Sequence, residues 1–106
     1  MTPEGKLQDA VQAYLNARKI FNFRTQMGYN SGYPDIIAIY KGYFIGIELK
    51  RPDKKGVATE QQSKFVEYIR NADGIAGIVE SIEDLENLLE EAEQRWKKDL
   101  QYKQVR

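Results

Sequence analysis

Apolar residues in the first part of the chain change from a helical to a strand-like spacing. The helical pattern predicts an amphipathic helix with Thr2 as its N-cap, Pro3 at its first position and an end near Arg18. Its apolar face is formed by Leu7, Ala10, Val11, Tyr14 and Leu15. Aromatic and β-branched residues then predict a short strand over residues 20–25, and a loop rich in Gly, Asn and Ser follows over residues 27–33.

The middle of the chain contains two apolar runs separated by a Lys-Gly pair. They predict two strands, over about residues 35–40 and 43–50, joined as a hairpin. The polar segment RPDKKGVATEQQ predicts a loop that leads into a second helix, with Thr59 as its N-cap and Gly74 at its end.

The last third of the chain predicts a fourth strand and a long helix. The run IAGIVE has strand character, and the segment from Ser81 to Asp84 resembles a capping box that opens the final helix, residues 81–100. The apolar stripe of that helix is Leu85, Leu88, Leu89 and Ala92. The order is α-β-β-β-α-β-α, and the third strand, second helix and fourth strand should form a right-handed parallel crossover. We therefore expect an α/β fold, with a mixed β-sheet flanked by helices.

Length and composition are typical of one globular domain, residues 1–106, because 42% of the 106 residues are hydrophobic and 30% are charged. No apolar run is long enough to span a membrane, and the start MTPEGKLQDA has no apolar signal region, so we expect a cytoplasmic protein. The absence of cysteine and histidine excludes thiol nucleophiles, disulfides, zinc fingers and imidazole bases. Carboxylates remain, and they favour a hard cation such as Mg²⁺ or Mn²⁺.

Charge is unevenly distributed although the net charge is zero. Residues 1–56 carry nine Lys/Arg against five Asp/Glu, and residues 57–106 carry seven against eleven, so the halves are +4 and −4. Two interpretations remain open: chance scatter on a solvated surface, or a basic face that binds a polyanion.

Charged residues mark the outer ends of the two hairpin strands. If the Lys-Gly pair forms the tip, the numbers of facing residues add to 83, so Asp35 lies opposite Glu48 with Cβ atoms roughly 5 Å apart. A symmetric four-residue loop gives the same register, whereas a three-residue loop or a bulge shifts it. Lys50 lies two residues beyond Glu48 and shares its face, whereas Leu49 points into the core.

Two facing carboxylates repel each other, and a divalent cation between them removes the conflict. In the alternative interpretation Asp35 caps a loop, and Glu48 and Lys50 form a surface ion pair. The apolar residues on both faces of the hairpin favour a covered sheet instead, where clustered charge is typical of a functional site. A cation beside a lysine suits attack on a phosphodiester: the cation activates water and polarises the phosphoryl oxygen, and the lysine orients the water or offsets negative charge.

The spacing of these residues resembles a known nuclease motif. The chain contains Pro34-Asp35 and, after twelve residues, Glu48-Leu49-Lys50. This pattern resembles the PD-(D/E)xK motif. Three further features narrow the resemblance: GYPD is similar to a G-x-P-D signature, EGKLQ opens the first helix, and GVATEQQSKFVEYI is similar to a Gly, Thr and Gln pattern that opens the second. Together they resemble the virus-type replication-repair nuclease (VRR-NUC) domain over a core of about residues 3–80.

The resemblance implies a restriction-endonuclease-like fold, with Mg²⁺ or Mn²⁺ as the cofactor. It implies that Asp35, Glu48 and the main-chain carbonyl of Leu49 hold the principal cation. Lys50 would act on the nucleophilic water.

Two further site residues are implied by the resemblance. Glu4 would approach the cation from the first helix, directly or through water; the alternative is a favourable charge at a helix N-terminus. Gln62 would lie beside the lysine, and it shares a helical face with Phe65, Val66 and Ile69. If that helix has a different register, Gln61 takes its place.

The resemblance also implies a metal-dependent, structure-selective DNA endonuclease, similar to Holliday-junction resolvases, in a bacterial cell or encoded by a phage. Alternatives are a flap or other branched-DNA nuclease, a restriction-type or RNA-cutting enzyme, and a non-catalytic nucleic-acid-binding module. A set of basic and loop residues could contact DNA or simply form a solvated surface: Arg18, Lys19, Arg24, Lys41, Arg51, Lys54 and Lys55, with Tyr29, Asn30 and Tyr33.

A homodimer is expected, because two-fold symmetry would place two sites on the opposed strands of a four-way junction. Beyond Ala92 the last helix carries Trp96 and Leu100 at helical spacing, past the length needed to cover a small sheet. This segment is the candidate dimerisation element. The alternative is that the helix end folds back on its own domain.

Overall fold

The computed structural model describes the backbone of residues 3–25, 34–50 and 60–105, and the side chains of residues 5–25, 34–50 and 64–102. Within these ranges the order α-β-β-β-α-β-α is confirmed. The elements are α1 (Pro3–Ala17), β1 (Phe21–Arg24), β2 (Ile36–Tyr40), β3 (Tyr43–Leu49), α2 (Glu60–Asn71), β4 (Ile75–Val79) and α3 (Ile82–Val105). The candidate N-caps Thr2 and Thr59 lie outside the described residues. No helix in these ranges combines the length and the apolar character needed to cross a membrane.

The four strands form one sheet in the order β1-β2-β3-β4. The first two pairings are antiparallel, and β3 pairs with β4 in parallel through the α2 crossover. At the hairpin tip Lys41 and Gly42 have φ angles of 55° and 86°, the left-handed conformations that a two-residue turn requires. Facing residues from Tyr40↔Tyr43 to Ile36↔Ile47 have numbers that add to 83, so the predicted register is confirmed for these pairs.

The two faces of the sheet have different coverings. Helices α1 and α3 pack on one face, where the core residues are Val11, Leu15, Ile20, Ile36, Ala38, Ile45, Ile47, Leu49, Ile75, Val79, Leu85, Leu88, Leu89 and Ala92. Helix α2 packs on the other face, over β3 and β4. A Cβ atom built on Gly46 would lie 3.1 Å from Ile69 Cδ1, so this glycine lets α2 approach β3 closely. We call the face covered by α1 and α3 the core face, and the face covered by α2 the α2 face.

Helix α2 ends by a different mechanism from the one predicted. The residue in the left-handed conformation is Asp73, with a φ of 64°, and not Gly74. Gly74 instead donates its N–H to the carbonyl of Ile69 at 2.8 Å. A Cβ atom at position 74 would lie 2.9 Å from that carbonyl oxygen and 2.6 Å from the Ile69 side chain. Glycine is therefore required here by close approach of the backbone rather than by its φ angle.

Replacement of Gly74 by alanine should destabilise the protein by about 1–3 kcal/mol, because the added methyl group meets backbone that cannot move away. The matched variant Asp73→Gly should remain within about 1 kcal/mol of the wild type, since glycine adopts the left-handed conformation without strain. Urea unfolding of both variants measures the difference. Equal stability of the two variants would contradict this account of the helix end.

Three tyrosine hydroxyls hold α3 against the rest of the domain. Tyr14 donates to Glu86 Oε2 at 3.0 Å, Tyr40 donates to Glu93 Oε2 at 2.6 Å, and Tyr43 donates to Asp99. The hydrogen bond to Glu93 and burial raise the pKa of Tyr40, and burial and the hydrogen bond to Glu86 raise the pKa of Tyr14. These contacts stabilise the fold below a pH of about 10 and are lost as the pH rises through the raised pKa values.

The C-terminal part of α3 contacts its own domain at Trp96 and Asp99. The Lys41 ammonium lies 4.2 Å from the ring centroid of Trp96 and 5.6 Å from that of Tyr40, so the hairpin tip rests on the helix. Trp96 is thus engaged within the chain, as the fold-back alternative predicts. Leu100 and Tyr102 remain exposed.

Candidate functional site

Glu48 is the one buried charged side chain in the described parts of the chain, with 2% of its surface exposed. It lies one residue before the end of β3, beside Ile78 of β4, and strand alternation puts it on the α2 face with Gly46. Its Oε2 atom is withdrawn from solvent. Burial of an ionised carboxylate is strongly unfavourable unless a cation or strong donors compensate its charge. This position therefore suits a carboxylate that binds a cation.

The Asp35 carboxylate is held by the backbone of β3. Its Oδ2 atom accepts a hydrogen bond of 2.8 Å from the Leu49 amide. Strand β2 begins at Ile36, so Asp35 forms a bend and is not paired with Glu48 in the ladder, contrary to the predicted strand start. The physical reason is that Pro34 would face Leu49 in this register, and proline has no N–H to continue the ladder.

The N–H and C=O groups of one strand residue point toward the same neighbouring strand. Because the Leu49 N–H points toward Asp35, the Leu49 carbonyl also points to that side of β3. The Leu49 side chain is buried in the core, as expected. Thr25, the residue after β1, supports Asp35: its N–H donates to the Asp35 carbonyl at 3.1 Å, and its hydroxyl donates to the Pro34 carbonyl at 2.8 Å. Backbone on both sides thus fixes the position of the aspartate.

Lys50 continues the alternation of β3, since its N–H donates to the Val79 carbonyl at 3.0 Å as the next rung of the parallel ladder. It therefore follows Glu48 onto the same face. Its Nζ atom lies 3.1 Å from Glu80 Oε1, an ion pair in which the lysine side chain is 25% exposed and the glutamate 52%. The Glu80 amide donates to Asp84 Oδ2 at 2.9 Å, so the start of α3 fixes the backbone of the glutamate.

Glu80 was not among the predicted site residues. The signal was present in the sequence, because the apolar runs of β3 and β4 both end in charged residues: IELK and GIVE. The parallel register Leu49↔Val79 brings Lys50 and Glu80 side by side. Sequence reasoning paired β3 only with its hairpin partner and so missed this neighbour.

The donor set at this end of the sheet fits a hard divalent cation. Two carboxylates and one main-chain carbonyl are the oxygen ligands that Mg²⁺ and Mn²⁺ prefer. Among the side chains that the structure describes, no three acidic residues lie close enough together to enclose a metal. Of the residues that the structure describes, Asp35, Glu48 and the Leu49 carbonyl are the ones whose oxygens could hold such a cation.

Two predicted DNA contacts lie away from this site. Arg24 is on the core face, where its guanidinium bonds Asp9 Oδ1 at 2.7 Å and Gln12 Oε1 at 2.6 Å. Lys41 is at the hairpin tip against Trp96, about 20 Å along the strand from Asp35. The side chains of Glu4 and Gln62, and of the alternative Gln61, lie outside the described residues, as do Tyr29, Asn30, Tyr33, Arg51, Lys54 and Lys55.

Comparison with known proteins finds a similarity of fold. No family model and no curated protein sequence matches the chain. A solved structure described as a VRR_NUC domain is similar, with a TM-score of 0.70 and 23% sequence identity. The match covers 85% of this chain and 97% of that chain. The similarity establishes the fold, and the fold expected from the sequence resemblance is confirmed.

Proposed function

We propose that this chain, which has the fold of a VRR_NUC domain, is a divalent-metal-dependent nuclease that hydrolyses phosphodiester bonds in DNA. Asp35, Glu48 and the Leu49 carbonyl hold Mg²⁺ or Mn²⁺, and Lys50 acts at the scissile phosphate. Glu4 and Gln62 complete the site from α1 and α2. Branched DNA is the preferred substrate, and a homodimer is the active form.

The observation that carries this proposal is the arrangement of two carboxylates at the end of β3. Glu48 is buried on the α2 face, and Asp35 is held by a hydrogen bond from the amide of Leu49, the residue after Glu48. A purely structural carboxylate would be more stable at an exposed position, whereas metal ligands require fixed, partly desolvated oxygens. The sequence resemblance to the PD-(D/E)xK motif concerns these same residues.

Each residue has a separate role in the proposed reaction. When bound, the cation supplies a water of lowered pKa and polarises a phosphoryl oxygen. Asp35 and Glu48 fix its position, and the Leu49 amide keeps Asp35 oriented. Lys50 leaves its ion pair with Glu80 to contact the phosphate, where its positive charge offsets the charge that develops during attack. Because Glu80 is exposed to solvent, breaking the ion pair between Lys50 and Glu80 costs little free energy.

A substrate panel tests the proposal. The full chain and its Asp35→Asn variant are each incubated in Mg²⁺ or Mn²⁺. The substrates are an end-labelled four-way junction, a flap, a linear duplex and an RNA duplex. We expect wild-type cleavage of the branched DNA and a loss on the order of 10³-fold in the variant. Cleavage that survives Asp35→Asn, or its absence from every substrate in either metal, would contradict the nuclease assignment. Binding without cleavage would indicate a nucleic-acid-binding module, and preference for RNA would change the substrate class.

A further inference from the structure

Lys50 has acidic residues on both sides of its strand. In the sheet order β1-β2-β3-β4, the strands that flank β3 are β2, which Asp35 immediately precedes, and β4, which Glu80 immediately follows. The lysine and Glu80 come directly after the parallel pair Leu49↔Val79. The ammonium group of Lys50 lies on the β4 side, 3.1 Å from Glu80 Oε1. This ion pair is therefore one of two placements open to the lysine.

The other placement is at the two carboxylates of the candidate site. Lys50 and Glu48 are two residues apart on one face of β3, about 7 Å. The flexible four-carbon stem of lysine allows its ammonium group to turn back along the strand. Carboxylates attract an ammonium group as they attract a metal ion, and water screens a buried carboxylate such as Glu48 less than an exposed one. A lysine placed between Asp35 and Glu48 would compete with a divalent cation for the same oxygens.

Glu80 is fixed in position but holds the lysine only weakly. Its amide donates to Asp84 Oδ2 at 2.9 Å, and the Asp84 amide donates to Ser81 Oγ at 3.2 Å, so the start of α3 fixes the backbone of the glutamate. Its side chain is 52% exposed, and water weakens such an ion pair. Among the described side chains no three acidic groups lie close enough together to enclose a metal, which excludes Glu80 as a third carboxylate ligand beside Asp35 and Glu48.

We propose that Glu80 holds the Lys50 ammonium group away from the two carboxylates in the metal-free protein, and thereby keeps the cation site open. The inference rests on the metal site proposed above and goes beyond it, because Glu80 neither binds the cation nor contacts the substrate. A weak ion pair suits this role, since it directs the lysine to β4 and still releases it to a phosphate. The effect is on metal affinity, and not on the cleavage rate at saturating metal, where the cation already occupies the site.

Titration calorimetry with Mn²⁺, on the full chain without DNA, tests the proposal. We expect Glu80→Gln to weaken Mn²⁺ binding about two- to fivefold, the factor by which an exposed ion pair changes an equilibrium. Glu83→Gln removes the same charge from an exposed position on α3, so this control should bind Mn²⁺ as the wild type does. Unchanged Mn²⁺ affinity in Glu80→Gln overturns the proposal.

A double-mutant cycle separates the lysine from the charge of Glu80 itself. Loss of a negative charge weakens cation binding directly if the charge lies close enough to the site. In a Lys50→Met background, Glu80→Gln should leave Mn²⁺ affinity unchanged, because no ammonium group remains to be held. An equal loss of affinity in both backgrounds overturns the proposal and assigns the effect to the charge of Glu80 alone.

Carbon-13 NMR of the side-chain carboxyl groups observes the placement of the lysine without metal or DNA. We expect Glu80→Gln to shift the resonances of Asp35 and Glu48, because the ammonium group moves next to them, and Glu83→Gln to leave them in place. Resonances that do not respond to Glu80→Gln overturn the proposal. A wild type that shows these shifts but binds no Mn²⁺ counts against the nuclease alone. Metal-dependent cleavage without any effect of Glu80→Gln on Mn²⁺ affinity counts against the role of Glu80 alone.

Discussion

Replacement of Glu48 by glutamine should abolish metal-dependent cleavage, with a loss on the order of 10³-fold, while the protein stays folded. The amide keeps the size of the side chain but removes the negative charge that a cation requires. In metal-free buffer the variant should be at least as stable as the wild type, because a neutral amide is less costly to bury than a carboxylate at a position only 2% exposed.

Thermal unfolding separates metal binding from catalysis in this experiment. A ligand that binds only the folded state stabilises it by about 2.7 kcal/mol at one hundred times its dissociation constant. Addition of Mn²⁺ should therefore raise the melting temperature of the wild type and leave that of Glu48→Gln unchanged. Glu67→Gln, an exposed change on α2, serves as the matched control and should behave as the wild type. Equal metal stabilisation of Glu48→Gln and wild type would show that the cation binds elsewhere.

Replacement of Lys50 by alanine should lower the cleavage rate about 10²- to 10³-fold and leave metal stabilisation intact. In the proposed reaction the lysine contributes a positive charge at the phosphate and no ligand to the cation. Its loss should reduce the free energy of unfolding by no more than about 1 kcal/mol, because the partner Glu80 is 52% exposed. Single-turnover cleavage and metal titration by thermal unfolding measure the two effects separately.

Glu80→Gln is the matched control for Lys50. It removes the ion-pair partner but keeps the ammonium group, so cleavage should remain within about tenfold of the wild type. A loss in Glu80→Gln as large as that in Lys50→Ala would mean that the ion pair itself positions the lysine. Loss of metal stabilisation in Lys50→Ala would contradict the assignment of separate roles.

The hairpin shows why the sequence predicted the face of the sheet on which Glu48 lies. A two-residue turn permits one register, and Lys41 and Gly42 have the backbone conformation that this turn needs. Once the tip is known, every facing pair follows by counting. The face that Glu48 occupies could therefore be derived from a turn about 20 Å away.

Other features depended on contacts that counting along one hairpin does not reveal. The bend at Asp35 arises because Pro34 cannot donate to Leu49, which is a local effect at the end of the ladder. The Lys50–Glu80 pair requires the parallel register of β3 with β4, which is set by the α2 crossover. The position of Trp96 depends on the length of α3 relative to the hairpin, a tertiary distance that periodicity does not contain.

The tyrosine contacts of α3 have a consequence for the proposed action on DNA. A neutral hydroxyl that donates to a carboxylate, as Tyr40 does to Glu93, has no pair of opposite charges for dissolved ions to screen. DNA affinity falls steeply as salt concentration rises, because phosphate contacts release counterions. The hydrogen bonds that hold α3 against the rest of the domain are largely independent of salt concentration. The scaffold should therefore keep its geometry across ionic strengths at which the proposed binding of DNA would change by orders of magnitude.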